Sequence, residues 1–489
     1  MSAIINNSFR KFQADNFIEG FTETVGTSPA VAKNNIYLAI GKTDVWSGTT
    51  ADNVSEFKVT SGSSASDTDI PVPVDTGQAH YLHWNDIRSA KRIQDVSHVI
   101  ARYDWTSGTV YREYDHERDD IIDNKNPANN VTESPFYVFT EDFRVYKCIS
   151  NGGGAESISK PTGNSPGLIK TTADGYVWKF MFEVQQADVL KFVTTDWIPV
   201  QTLTADDGTS QWDVQTAAID GSIDYIKVTN GGNGYRSTTG VPRPGSIESN
   251  LLLQDAAGGN TTEVAENTND FYNDMTVYIT DGAGAGQFRT ITDYDGDSRT
   301  VTGLSADWDA NNIPNTTSVY QIMPAVTLTG IGGGQGGAGS GITARVSSVV
   351  AGAITEITIV DKTPISSYRE ATATITSGNG AGAILKVIIN PTGGHGKNAV
   401  AELGGAFVMM NVRLRGLEGS SLFVNEDFRK VHVILNPQVN AGAQPVATAD
   451  TYRGEDLLED SGTILYTEFR PPIHRSSDST EDIKLVVEF

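Results

Sequence analysis

The residues of this chain that could do chemistry sit in short, separate stretches. Gly163-Asn164-Ser165-Pro166-Gly167 has the letter pattern of a serine nucleophile elbow, which needs a strand before it, a helix after it and a backbone N–H just past the serine. Pro166 has no N–H to offer an oxyanion, so the stretch is expected to be a loop. Gly282-Ala283-Gly284-Ala285-Gly286-Gln287 has the glycine density of a phosphate-binding loop but lacks the closing Lys-Ser/Thr and a following helix, which predicts a hairpin turn. Asp293, Asp295 and Asp297 have the alternate spacing of a calcium loop, yet Ser298 and Leu304 stand where its Gly and Glu belong. Gly231-Gly232-Asn233-Gly234 begins like a calcium-binding β-helix repeat, but Arg236 replaces the required Asp and no nonapeptide array follows. His80 and His83 can share a helix face, with no third zinc ligand at matching spacing. Carboxylates are so numerous that spacing alone does not single out a glycosidase pair. Cys148, between Tyr146 and Ile149 in a strand-like run, reads as a small core residue, and a single cysteine excludes an internal disulfide.

With no catalytic constellation intact, the expectation is a protein that is not an enzyme and holds no cofactor or metal. The strands then become the organising features. Asp174-Gly175 suits a tight turn, and the residues after it alternate faces. Tyr176, Trp178, Phe180 and Phe182 make one broad aromatic face, while Val177, Lys179, Met181 and Glu183 make a mixed one, as in a core strand or an interface strand. Forty-nine glycines and few long helical patterns predict a mainly β chain with a minor α+β component. Ser8 to Phe21 is expected to be a short helix with Ser8 as its cap, and Lys33 to Ile40 the first core strand. Tyr81 to Arg102 reads as a helix running into a strand, with Arg88, Lys91 and Arg92 on a solvated or docking surface. The acidic run Asp115 to Asp123 reads as a solvated loop.

The bulk composition narrows the partners. A formal charge of −24 repels phosphate backbones and argues against nucleic acid. No run approaches the ~20 apolar residues that span a bilayer, so no membrane contact is expected. Met1 to Asn7 lacks the regions of a secretory signal, so the chain is expected to stay where it is made.

Asp174-Gly175-Tyr176-Val177-Trp178, together with Glu468-Phe469-Arg470-Pro471-Pro472-Ile473 and Asp478-Ser479-Thr480-Glu481-Asp482-Ile483, resembles the dimeric baseplate wedge proteins of T4-like contractile-tailed phages. Asn35 to Lys42, Ile100 to Trp105, Val145 to Cys148 and Phe428 to Val431 agree in the same order. The resemblance covers roughly residues 9–200 and 425–489 and lapses between them. It implies a virion protein of the tail baseplate, a homodimer and docking to other wedge proteins. Tyr176, Trp178, Phe180, Phe182, Arg470, Pro471 and Pro472 are the expected interaction or core residues.

From Thr204 onward Gly, Thr, Ala and Ser take over and an internal repeat appears. Ile223, Ile226, Val228 and Tyr235 are matched by Ile354, Ile357, Ile359 and Tyr368; Gly339-Ser340-Gly341 before Val346 is matched by Gly380-Ala381-Gly382 before Val387. Asn230 to Tyr235 is expected to be a turn, and a β meander at about 245–322 interrupts the first copy. The expected organisation is a discontinuous core domain, 1–203 plus 401–489, with 204–400 inserted as a β-repeat module that decorates the baseplate or holds fibre proteins. A glycan-binding or carbohydrate-active tail protein is the alternative, with Tyr235, Tyr272, Tyr294, Trp308 and Tyr368 as its candidate sugar-stacking residues.

Overall fold

The structure, a computed structural model, describes residues 6–22, 24–25, 31–32, 35–46, 70, 72–73, 76–118, 122, 133–171, 173–243, 250–253, 265–331, 339–362, 366–416, 422–440 and 450–489. Asp119, Asp120 and Asp123 of the expected solvated loop lie outside them.

The chain begins with α1 (Asn7–Thr22), a short hairpin of β1 (Thr24–Val25) and β2 (Val31–Ala32), then β3 (Ile36–Gly41), α2 (Gly77–Asp86), β4 (Ile87–Arg92) and β5 (Asp95–Ala101). Next come β6 (Tyr137–Phe139), β7 (Arg144–Asn151), β8 (Leu168–Lys170) and β9 (Tyr176–Glu183), followed by α3 (Gln186–Phe192) and β10 (Trp197–Val200). The Gly/Thr-rich region holds α4 (Ser210–Ala217), β11 (Ile223–Asn233), β12 (Thr238–Gly240), β13 (Leu251–Leu252), β14 (Thr276–Asp281), β15 (Phe288–Asp295), β16 (Thr300–Leu304) and β17 (Val319–Met323). It continues through β18 (Val326–Gly330), β19 (Thr343–Val350), β20 (Ala353–Asp361), β21 (Ala371–Ile375) and β22 (Ala381–Ile389). The chain closes with α5 (Ala399–Leu403), β23 (Phe407–Arg415), β24 (Glu426–Leu435), β25 (Thr451–Arg453), β26 (Thr463–Arg475) and β27 (Thr480–Glu488). The mainly β class is therefore what the chain adopts, with antiparallel pairing between its named strands.

These elements divide into two compact units: one of 1–103, 184–202 and 399–489, the other of 104–183 and 203–398. The first unit is a β sandwich. One sheet runs β25-β4-β3-β24-β26 and the other β10-β5-β23-β27. Ile36, Leu38, Ile40, Val431 and Val433 of the first sheet share one core with Met410, Val412 and Leu485 of the second. Each sheet is also covered behind. Tyr37 and Ala39 of β3 pack with Trp84 of α2, and Val99 and Met409 pack with Phe192 of α3. All six residues of β3 are consequently buried, the state a continuous apolar run allows and a half-solvated strand does not. The cap of α1 is Asn6, whose side-chain oxygen accepts the Phe9 N–H at 2.9 Å, two residues before the expected Ser8.

The second unit has separate cores. The sheet β6-β7-β9-β8 buries its aromatic face, and Val214 of α4 packs on it. This contact, with the ion pairs Lys227–Glu113, Lys386–Asp115 and Lys170–Glu356, joins 104–183 to 203–398, and the two segments form one unit where 1–203 was the expected block. The meander is the sheet β12-β17-β14-β15-β16-β13 around Val277, Ile279, Ile291, Tyr294, Trp308 and Ile322.

Between them the repeat forms a two-fold arrangement. Strand β11 of the first copy pairs with β22 of the second, and β20 of the second with β19 of the first. The equivalent strands β18 and β21 pair with each other, Val326 opposite Ile375 and Gly330 opposite Ala371, so the pseudo-axis passes through Leu328 and Ala373. The loops obey the same exchange: Tyr235 N–H donates to Gly352 C=O and Tyr368 N–H to Gly221 C=O, each at 2.9 Å. The expected turn at Asn230 to Tyr235 is instead mostly strand, because Gly231 and Asn233 pair with Ala383 and Ala381 beyond a bulge.

Candidate functional site

The positions considered for chemistry are occupied by ordinary structure. Ser165 lies in a loop where its hydroxyl accepts the Gly167 N–H at 3.2 Å. The Gly282 to Gln287 stretch turns between β14 and β15. Asp295 closes its own turn on Asp297 N–H and on Ser298, while Asp293 bonds Thr302. Cys148 is fully buried, and burial pushes its thiol well up, away from nucleophilic behaviour. Among the described residues there is no group of three or more His, Cys, Asp or Glu able to hold a metal ion, and no helix long and apolar enough to cross a membrane. The candidate sugar-stacking residues Tyr235, Tyr272, Tyr294, Trp308 and Tyr368 are all buried. Their rings fill strand cores, so they make no platform for a glycan.

Tyr176, Trp178, Phe180 and Phe182 are placed inside the second unit. Tyr176 and Trp178 stack at 5.3 Å between centroids, with Tyr111 edge-on to Trp178. The Tyr176 hydroxyl donates to Ala155 C=O at 2.6 Å and accepts from Tyr111 N–H; burial pushes it up to about 12, against the opposing pull of that N–H. The opposite face is buried as far as Met181, with Glu183 exposed, and it includes Lys147 and Lys179, which stand directly across from each other on β7 and β9. Lys147 reaches His395 Nδ1 at 3.0 Å and lies 4.0 Å from the Tyr114 ring centre. Tyr176, Trp178 and Phe180 therefore share a core within one chain, and Phe182, beyond a bulge in the strand, is buried as well, so the four are not surface left over for a dimer.

What holds this strand in place is Asp174, a residue whose turn role the sequence shows but whose reach it does not. Its carboxylate accepts the N–H groups of Ile158 and Ser159 at 2.9 Å, that of Tyr176 at 3.2 Å and the Thr171 hydroxyl at 2.5 Å. Burial alone would raise its pKa, but these donors outweigh it and hold the carboxyl below the ordinary range.

Arg470, Pro471 and Pro472 lie in the other unit, exposed on the sheet-edge strand β26. Phe469 pairs with Lys430 and Ile473 with Phe428, so all three residues bulge opposite Arg429 alone. Arg470 C=O accepts the Trp46 indole N–H at 3.1 Å, and its guanidinium meets Glu468 at 2.9 Å. A second bulge falls at Leu465, between the pairs Val433–Tyr466 and Ile434–Ile464. Two bulges and two prolines without N–H groups prevent another strand from extending the sheet here. The edge is thus built to present side chains.

Beside the second bulge, β26 and α2 border an open surface cavity of about 300 Å³ lined by Pro73, His80, His83, Ile464, Leu465, Tyr466 and Thr467. Behind it lies a buried polar cluster. Lys430, fully buried, meets Asp86 at 2.7 Å and His83 Nδ1 at 3.5 Å. His432 bonds the Thr467 hydroxyl at 3.0 Å, and its ring centre is 5.0 Å from that of His83. Burial, with His83 and Lys430 adding to it, drives the His432 pKa well below the usual imidazole value.

The end of β26 is tied to β27 by charge. Arg475 is fully buried; its Nε donates to Glu481 at 2.8 Å and one Nη to Phe423 C=O at 3.2 Å. Among the described residues the other Nη has no acceptor.

Known proteins are similar to this part of the chain. The sequence model of the family described as "Bacteriophage T4, Gp8" matches residues 402–489. Baseplate wedge protein gp8 of Enterobacteria phage T4 is 40% identical over 70 residues, which are 13% of this chain and 21% of that protein. The aligned part of the chain thus spans about a fifth of that relative's length.

Proposed function

We propose that this chain is a structural, non-enzymatic subunit of a phage tail baseplate wedge, a virion protein that docks other wedge proteins. One observation carries the reading: the matched residues 402–489 supply β23 and β27 to one sheet of the sandwich and β24, β25 and β26 to the other. The likeness therefore runs through both layers of the first unit and includes the side-chain-presenting edge at Arg470 to Pro472. Docking through that edge, homodimerisation, and support of fibre proteins by the Gly/Thr-rich region 204–400 are parts of the same proposal. Dimerisation rests on the resemblance, since the aromatic strand is spent on the protomer's own core.

Immunogold labelling with an antibody against the full chain tests the reading on intact phage particles. Label at the distal end of the tail supports it; label on the head, or none on particles that the host cell has filled, overturns it. Sedimentation of the purified full chain with and without chelator tests the dimer separately, a metal-independent dimer being the expected result.

A further inference from the structure

The corner between α2 and β26 combines a cavity, an apolar rim and acid. Leu465 and Tyr466 line the cavity yet remain 44% and 45% exposed. Scattered apolar residues on a surface need no explanation, but apolar residues gathered round a cavity mark a binding position. The rim is negative. Asp460 bonds His80 Nε2 at 2.5 Å with half of its side chain exposed, Glu459 beside it is exposed, and Glu468 lies two residues beyond Tyr466. Arg470 offsets one of these charges.

We propose that this corner receives a segment of another baseplate subunit in which one large apolar side chain sits beside a lysine or arginine. This rests on the baseplate reading above. The apolar side chain enters the cavity against Leu465 and Tyr466, and the cation meets Asp460 and Glu459. Backbone pairing plays no part, because the Leu465 bulge and Pro471-Pro472 break the edge. A second copy of this chain is disfavoured as the occupant, since a two-fold contact at this corner sets the same acidic rim against itself.

The test places a photo-crosslinking phenylalanine analogue at Tyr466, and in a second variant at Leu465, in full-length chain supplied during phage assembly. Crosslinked peptides are then read by mass spectrometry from purified particles. The expected result is a crosslink to a different protein, at a segment with Lys or Arg within two positions of a large apolar residue. A labelled chain that is present in particles but uncrosslinked from both positions, or crosslinked to itself or to an acidic segment, overturns the proposal and leaves the baseplate reading intact. Absence of the unlabelled chain from particles defeats the baseplate reading, and this proposal with it.

Discussion

Removing Glu481 should harm the sandwich more than removing the arginine it neutralises. Arg475 is fully buried and the Glu481 side chain is 12% exposed, with 2.8 Å between the bonded atoms. Glu481→Gln leaves a guanidinium in the core with no counter-charge and with one Nη already lacking an acceptor. Stranding one member of a buried pair costs about 3–5 kcal/mol. Arg475→Met replaces the charge by an unbranched side chain of comparable reach. It loses the bond to Phe423 C=O, a net contribution of about 1 kcal/mol, and frees Glu481, which can hydrate through its exposed portion. The expected cost is about 1–2 kcal/mol. In the double variant the two effects should not add, and its stability should sit close to that of Arg475→Met alone. Urea unfolding of the full chain, followed in the transition that belongs to the sandwich, measures all three. If Arg475→Met is as damaging as Glu481→Gln, the pair is net stabilising and the desolvation reasoning fails.

Other outcomes follow from the same geometry. A Cβ at Gly380 would lie 2.3 Å from Cγ of Tyr235, and one at Gly339 2.3 Å from Cγ of Tyr368, so Gly380→Ala and Gly339→Ala should each destabilise the second unit by at least ~1–3 kcal/mol and by similar amounts, as thermal unfolding would show. Asp174→Asn should loosen the Ile158–Ser159 loop, seen as faster amide exchange there; because the folded carboxyl is held below its unfolded value, its contribution is present at neutral pH and is lost as pH falls through the folded pKa. His432 is buried, faced by His83 of α2 and Lys430 of its own strand and bonded to the Thr467 hydroxyl of β26. Its folded pKa is depressed, so the unfolded chain binds the extra proton and the sandwich should weaken as pH drops below ~6.5, by up to ~1.4 kcal/mol per pH unit from this group. His432→Gln should flatten that slope in urea titrations at pH 5 to 7. Deleting Glu481 to Phe489 removes β27, the whole partner of the outer edge of β23, and should abolish the cooperative melt of the sandwich.

Periodicity carried much of this architecture. Tyr176, Trp178 and Phe180 share a face and a core, as their alternation requires, and the matched glycines and tyrosines of the repeat meet each other across the pseudo-axis. Burial of Lys147 and Lys179 on the opposite face of β7 and β9 was not legible, because the partner of Lys147, His395, comes from far along the chain. The grouping of 104–183 with 203–398 rests in the same way on distant contacts, among them Val214 on the aromatic sheet, Lys147 with His395, Lys227 with Glu113 and Lys386 with Asp115. Arg470, Pro471 and Pro472 stood out as a motif, but their meaning as a bulge needed the register against Arg429. The cavity at the second bulge lies between α2 and β26, elements far apart in the chain, which no local pattern encodes.

The central claim, that this chain is built into a tail baseplate, is tested most directly by an electron cryomicroscopy map of the intact tail of the phage that encodes it. The account predicts density at the distal end of the tail into which the sandwich fits, with the β25-β4-β3-β24-β26 sheet resolved and a neighbouring subunit against the outer edge of β26. A complete baseplate map with every density assigned to other proteins would contradict it.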